Sequence, residues 1–269
     1  MVASGTLVYR CDCNPCKGAG YAWSQRELDE ALSSDVGEIV RDDLGKKEVL
    51  DIFKDGKVTE FDMAGLMSLF NANGNDTKNW QIGEAIANAY LCGHRECLVP
   101  WNTQRDLRTP KGSLPGVDIC GIRNNSGCDQ FFFCEVKTSS EEAYPPQVAS
   151  RNPNGGGLAA QVEELRDNVN VRGTIINYLA VRAIDAIWKD RFRKATLRYI
   201  RDANDISIFG FMVRDVTPDA RDLEKRVMDV AKSTFGPQIE FLALYLPQGQ
   251  IATLAGSVNQ GDATKGATC

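Results

Sequence analysis

Two short apolar runs, Val117–Ile122 and Phe131–Val136, flank the polar stretch Arg123–Asn124–Asn125–Ser126–Gly127. That pattern predicts a β-hairpin with a longer loop. Asp118 interrupts the first run, and Glu135 and Lys137 interrupt the end of the second. Side chains alternate along a strand, so Glu135 and Lys137 share a face. Charges beside an apolar sheet are costly to bury unless they bind a metal or one another.

The same reading organises the rest of the chain. Ser24–Ala31 starts as a capped helix, with Glu27 three residues after Ser24. Gly45–Phe70 has a helix–turn–helix pattern, and within it Asp51–Asp62 partly matches a calcium loop. Phe53 occupies a ligand position there and Asp62 replaces the closing Glu, so calcium is not expected. Asn71–Asn79 is a polar linker and sets a boundary. Trp80–Leu91 predicts an amphipathic helix with Glu84 beside its apolar face, and Leu158–Val169 another that carries Gln161. Val171–Arg201 predicts one long, partly basic helix, Asp205–Val213 a strand, Pro218–Lys232 a helix and Ile239–Leu246 a last strand. The expected fold is α/β, a central mixed sheet flanked by helices. Residues 1–79 form a mostly helical accessory region, 80–250 the core and 251–269 a flexible tail.

Composition adds less. At 269 residues, 43% hydrophobic and 25% charged, the chain reads as a globular protein. No apolar run is long enough to span a bilayer and no signal segment opens the chain, so a cytoplasmic location is expected. A net charge of −5 argues against a generally basic nucleic-acid binder. Two local clusters remain available: Lys189, Arg191, Arg193 and Lys194, continuing to Arg198 and Arg201, and Arg105, Arg108 and Lys111. Cys11, Cys13 and Cys16, with Cys92, His94 and Cys97, offer metal-binding residue types in no standard spacing. His94 is the only histidine, which excludes mechanisms that need two.

Asp118 and Glu135, with the Val136 carbonyl, supply hard oxygen donors from adjacent strands, a set that suits Mg²⁺ or Mn²⁺. Lys137 can orient an attacking water and stabilise charge on phosphorus. At this point Asp118, followed seventeen residues later by Glu135-Val136-Lys137, resembles the PD-(D/E)xK nuclease superfamily, with its restriction-endonuclease-like core. Pro115 lies three positions before Asp118, so the literal PD pair is absent. Glu84 matches the acidic residue that many members carry on the preceding helix, and Gln161 the glutamine of the following one. Within the superfamily the GEAIANAYL and FCEVKTSS segments most resemble nucleases of bacterial antiphage systems, the Hachiman nuclease subunit being one candidate.

The resemblance implies a Mg²⁺- or Mn²⁺-dependent deoxyribonuclease. Its catalytic residues would be Glu84, Asp118, Glu135, Lys137 and Gln161, and its metal ligands Glu84, Asp118 and Glu135. Lys189, Arg191, Arg193 and Lys194 would contact nucleic acid. The chain has no P-loop, so a helicase or ATPase partner is the expected source of substrate delivery. Three other readings stay open: a surface ion network, a catalytically inactive binding or interaction subunit, and a cysteine enzyme using His94.

Overall fold

In the computed structural model, seven strands form one mixed sheet, in the order β1-β2-β7-β6-β5-β4-β3. The structure describes residues 1–52, 77–102, 116–150, 156–231 and 236–258, with single positions Thr59, Asp62, Ala64, Gly65 and Arg105. The strands are β1 (Thr6–Arg10), β2 (Cys16–Ala22), β3 (Cys97–Leu98), β4 (Ile119–Asn125), β5 (Cys128–Ser139), β6 (Ile206–Arg214) and β7 (Gln238–Tyr245). Neighbours from β2 through β7 and β6 to β5 run parallel, and the outer pairs β1–β2, β4–β5 and β3–β4 are antiparallel. Parallel central strands are covered on both faces, which explains why β6 is buried at every residue and why Phe131, Phe132 and Phe133 are all buried.

The helices sort onto the two faces. α1 (Gln25–Ser33), α2 (Asp35–Arg41) and α4 (Asn79–His94) share one core with Phe132, Cys134 and Val136 of β5. α5 (Leu158–Asp167), α6 (Val169–Arg182), α7 (Lys189–Arg201) and α8 (Glu224–Val230) share the other with Phe131 and Phe133. α3 (Asp43–Ile52) follows α2. The expected fold class, a mixed sheet between helices, is the one observed.

Several local expectations change. The hairpin has no longer loop: β4 and β5 are joined by Ser126 and Gly127 alone, both at positive φ, 52° and 83°. Those two left-handed residues suit the right-handed twist of the strands they connect, and Gly127 has no Cβ to strain there. The single basic helix expected over Val171–Arg201 is two, α6 and α7, divided at 183–188. Asn168 separates α5 from α6, its side chain accepting from the Asn170 and Val171 N–H groups as an N-cap. The helix expected over Pro218–Lys232 is a 3-10 turn, Ala220–Asp222, followed by α8.

The N-terminal region contributes more than helices. β2 pairs parallel with β7 and β1 closes that edge, so residues 6–22 belong to the main sheet. The segment Cys16–Ala22 is rich in small residues, and with no β-branched residue and Tyr21 as its one aromatic it carries little of the signal that reveals the other strands. At the other end, Ile251, Leu254 and Val258 are buried, so the expected tail begins as packed structure. Most of Gly45–Phe70 beyond α3, most of the linker Asn71–Asn79, Pro115, Arg108, Lys111, Asn152–Gly155 and 259–269 lie outside the described residues. Among the described residues no helix is long and apolar enough to cross a membrane.

Candidate active site

The site forms where β4 and β5 part. Their ladder ends at the pair Ile119–Cys134, while β5 continues to Ser139 beside β6. From Glu135 onward β5 therefore has a gap on one edge. Asp118, one residue before β4, fills part of it: its Oδ2 accepts the Val136 N–H at 2.7 Å. In a strand the N–H and C=O of one residue point to the same edge, so the Val136 carbonyl faces the same gap.

Glu135 is buried, at 3% exposure, and its Oε1 accepts from Lys137 Nζ at 2.6 Å. The shared face expected from their spacing is the one observed, with the ammonium the more exposed partner at 22%. Glu84 enters from α4. That helix lies close to the end of β5, because a Cβ on Gly83 would collide with Thr138 Oγ1. Glu84 and Asp118 line a small cavity of about 40 Å³ with Gln81, Asn88 and Asn102. That volume holds a water or two and no larger molecule.

The electrostatics are those of too many carboxylates in too little water. Burial, then the charges of Asp118 and Glu135, push the Glu84 carboxyl up to about 9, with Lys137 opposing. Burial and Asp118 push Glu135 up to about 8, again opposed by the adjacent Lys137. Like charges and desolvation both disfavour the ionised forms, and a cation among them would reverse that.

Among the described residues no three His, Cys, Asp or Glu side chains are drawn together as a finished metal-ligand cluster. Asp118 is committed to Val136 through one oxygen, and Glu135 to Lys137. The donor chemistry nevertheless fits a hard divalent cation, since the available groups are carboxylate oxygens and a backbone carbonyl. The cysteine set does not fit one. Burial pushes the Cys11 and Cys16 thiols up to about 11, and His94 Nε2 is taken by the Val2 carbonyl at 2.9 Å. The raised thiols are poor nucleophiles as well as poor ligands.

Gln161 sits in the second turn of α5 (Leu158–Asp167), on the same face of the sheet as Glu135. Its Oε1 is buried without a hydrogen-bond donor, an uncommon state for a buried amide. The start of α5 borders a second cavity, about 250 Å³, lined by Lys137, Gln147, Val148 and Gly157.

The basic cluster is not brought to this site. Arg191 Nε pairs with Asp129 at 2.8 Å, which fixes α7 near the start of β5. Asp129 is six residues before Glu135, about 20 Å along the strand. Arg193 pairs with Asp190 at 3.8 Å, and Lys189 and Lys194 are exposed. Arg105 is engaged by Asp42 at 2.7 Å and stacks on Trp101.

Reading along the chain missed Asn88 and Gln147 as lining residues. Asn88 had a signal, one helical turn beyond Glu84. The loop Thr138–Pro153, beside a strand-end carboxylate, is expected to contact substrate, but no spacing singles out Gln147 within it. The chain matches no family model and no curated protein.

Proposed function

We propose that the chain is a divalent-metal-dependent nuclease that hydrolyses phosphodiester bonds, most simply in DNA. One observation carries the reading: Glu84, Asp118, Glu135 and Lys137 come from three separate parts of the chain to one gap in the sheet. A surface ion network needs only Glu135 and Lys137. It gives no reason for two further carboxylates to sit where they push each other's proton affinity up.

Glu84, Asp118 and Glu135, with the Val136 carbonyl, are the groups that would hold Mg²⁺ or Mn²⁺. When bound, such an ion neutralises charge on the phosphate and increases the acidity of a bound water. The chain's own part is positional. Asp118, held by the Val136 N–H through Oδ2, lies within hydrogen-bonding reach of the Glu135 carboxyl, which brings the two acids together. Lys137 stands at the exposed side, where its ammonium can orient an attacking water and the phosphate oxygens. In the reaction the water oxygen bonds to phosphorus, the ester P–O bond breaks, and a proton ends on the departing oxygen. Burial of Glu135 strengthens its interactions with the charges around it.

Lys189 and Lys194, with Arg191 and Arg193 beside them, are proposed as a more distant contact for the nucleic-acid backbone. Their separation from Glu135 suits a substrate longer than a few nucleotides. The overall acidity favours a helicase or ATPase partner that delivers the strand. An antiphage role belongs to the same reading and rests on the sequence resemblance. The test is cleavage of plasmid and linear DNA in Mg²⁺ or Mn²⁺, with EDTA as the control; metal-independent cleavage or none would count against it. Burial raises the Cys92 and Cys97 thiols and the Val2 carbonyl takes His94 Nε2, so the cysteine-enzyme alternative gains no support.

A further inference from the structure

A fully buried ion pair lies behind the loop that leaves β5. Arg214, the last residue of β6, pairs through Nε with Asp222 Oδ2 at 3.3 Å, and both side chains are 0% exposed. Asp222 also accepts from Tyr245 Oη at 2.7 Å, and the Tyr9 and Tyr245 hydroxyls lie 2.9 Å apart. Arg214 uses its remaining guanidinium nitrogens on the loop: Nη1 donates to the Ser139 carbonyl at 3.2 Å and Nη2 to the Ala143 carbonyl at 3.1 Å. The Arg214 and Arg221 guanidinium groups both lie over the Tyr144 ring, and the Tyr144 hydroxyl donates to the Thr217 carbonyl at 2.7 Å.

A buried charge pair is costly compared with an apolar filling, so its retention calls for a reason beyond stability. The reason here is geometric. Glu141 Oε2 accepts the Gln147 N–H at 2.6 Å, which folds the loop back so that Gln147 and Val148 form the wall opposite Lys137. The planar guanidinium fork of Arg214 presents its donors in fixed directions to two loop carbonyls and a carboxylate, a geometry that the compact ammonium of a lysine on its flexible stem does not reproduce.

We infer that Arg214 is a positioning residue: through Ser139, Ala143 and Tyr144 it fixes the 139–149 loop as the substrate-side wall of the cavity at Lys137. The inference rests on the nuclease reading for what the cavity receives, and on the loop geometry alone for how the wall is held.

The experiment compares wild type with Arg214→Lys and Tyr144→Ala, the second variant serving if the first does not fold. Hydrogen exchange reads the loop without any need for activity. Residues 140–149 should exchange at least about tenfold faster in either variant, while β5 and β6 keep their protection. On DNA, kcat/KM should fall about tenfold or more, mainly through KM, with Mn²⁺ affinity unchanged. Unchanged loop exchange overturns the inference, as does faster exchange with wild-type kcat/KM in an active enzyme. If wild type cleaves nothing, the nuclease reading falls, and the exchange result alone decides whether Arg214 holds the loop.

Discussion

The carboxylate of Asp118 stands beside Val136 where β4 would have continued, its Oδ2 accepting the Val136 N–H at 2.7 Å. One side chain therefore ends the ladder and stands at the gap that the candidate metal site needs. The two roles separate by substitution. Asp118→Asn keeps an acceptor for Val136 and loses the charge; it should leave the unfolding midpoint nearly unchanged and abolish cleavage. Asp118→Ala leaves that N–H without its partner and should cost about 1–3 kcal/mol as well. Denaturant unfolding of both variants checks this, and equal stability losses would mean that the hydrogen bond contributes nothing.

The packing of α4 (Asn79–His94) on β5 gives a second prediction. In an open helix Gly→Ala would add up to about 1 kcal/mol of stability. At Gly83 the added methyl meets Thr138 Oγ1, so either the Thr138 side chain or the helix that carries Glu84 must shift. The collision outweighs the propensity, and Gly83→Ala should destabilise by about 1–3 kcal/mol. Adding Thr138→Ala should recover most of the loss. A stabilised Gly83→Ala would show that α4 sits further from the sheet.

The pH dependence follows from Glu84 at about 9 and Glu135 at about 8, both raised from 4.5. The folded chain holds protons that the unfolded chain has already released, so the metal-free protein should lose stability as pH rises from about 5 through 9. Divalent metal removes the cause. Added Mg²⁺ or Mn²⁺ should raise the melting temperature, and more at pH 9 than at pH 6, because protons compete for the same carboxylates. Each kcal/mol is worth about 2–4 °C in a chain of this size. A melting temperature indifferent to both pH and metal would contradict the reading of the site.

The hairpin was legible as two continuous apolar runs around a polar turn, the shared face of Glu135 and Lys137 from the strand period of two, and the helix over Trp80–Leu91 from its period of 3.6. β2 (Cys16–Ala22) was not. Its small residues carry no alternation, and it becomes a strand only because β7 lies beside it. The break between α6 and α7 was hidden by continuous helix-forming composition. Arg214 was invisible for a different reason: its partners Asp222, Ser139 and Ala143 include two main-chain carbonyls, contacts that no spacing announces.

The central claim is that Glu135 and Lys137 form the catalytic pair of a metal-dependent nuclease. Its most direct test is one assay: wild type, Glu135→Ala and Lys137→Ala side by side on plasmid and linear DNA and on RNA, in Mg²⁺ or Mn²⁺, with and without EDTA. Cleavage by wild type alone is expected, stopped by EDTA, with both variants folded and lowered by about 10³-fold or more. Equal behaviour of wild type and the two folded variants would contradict it.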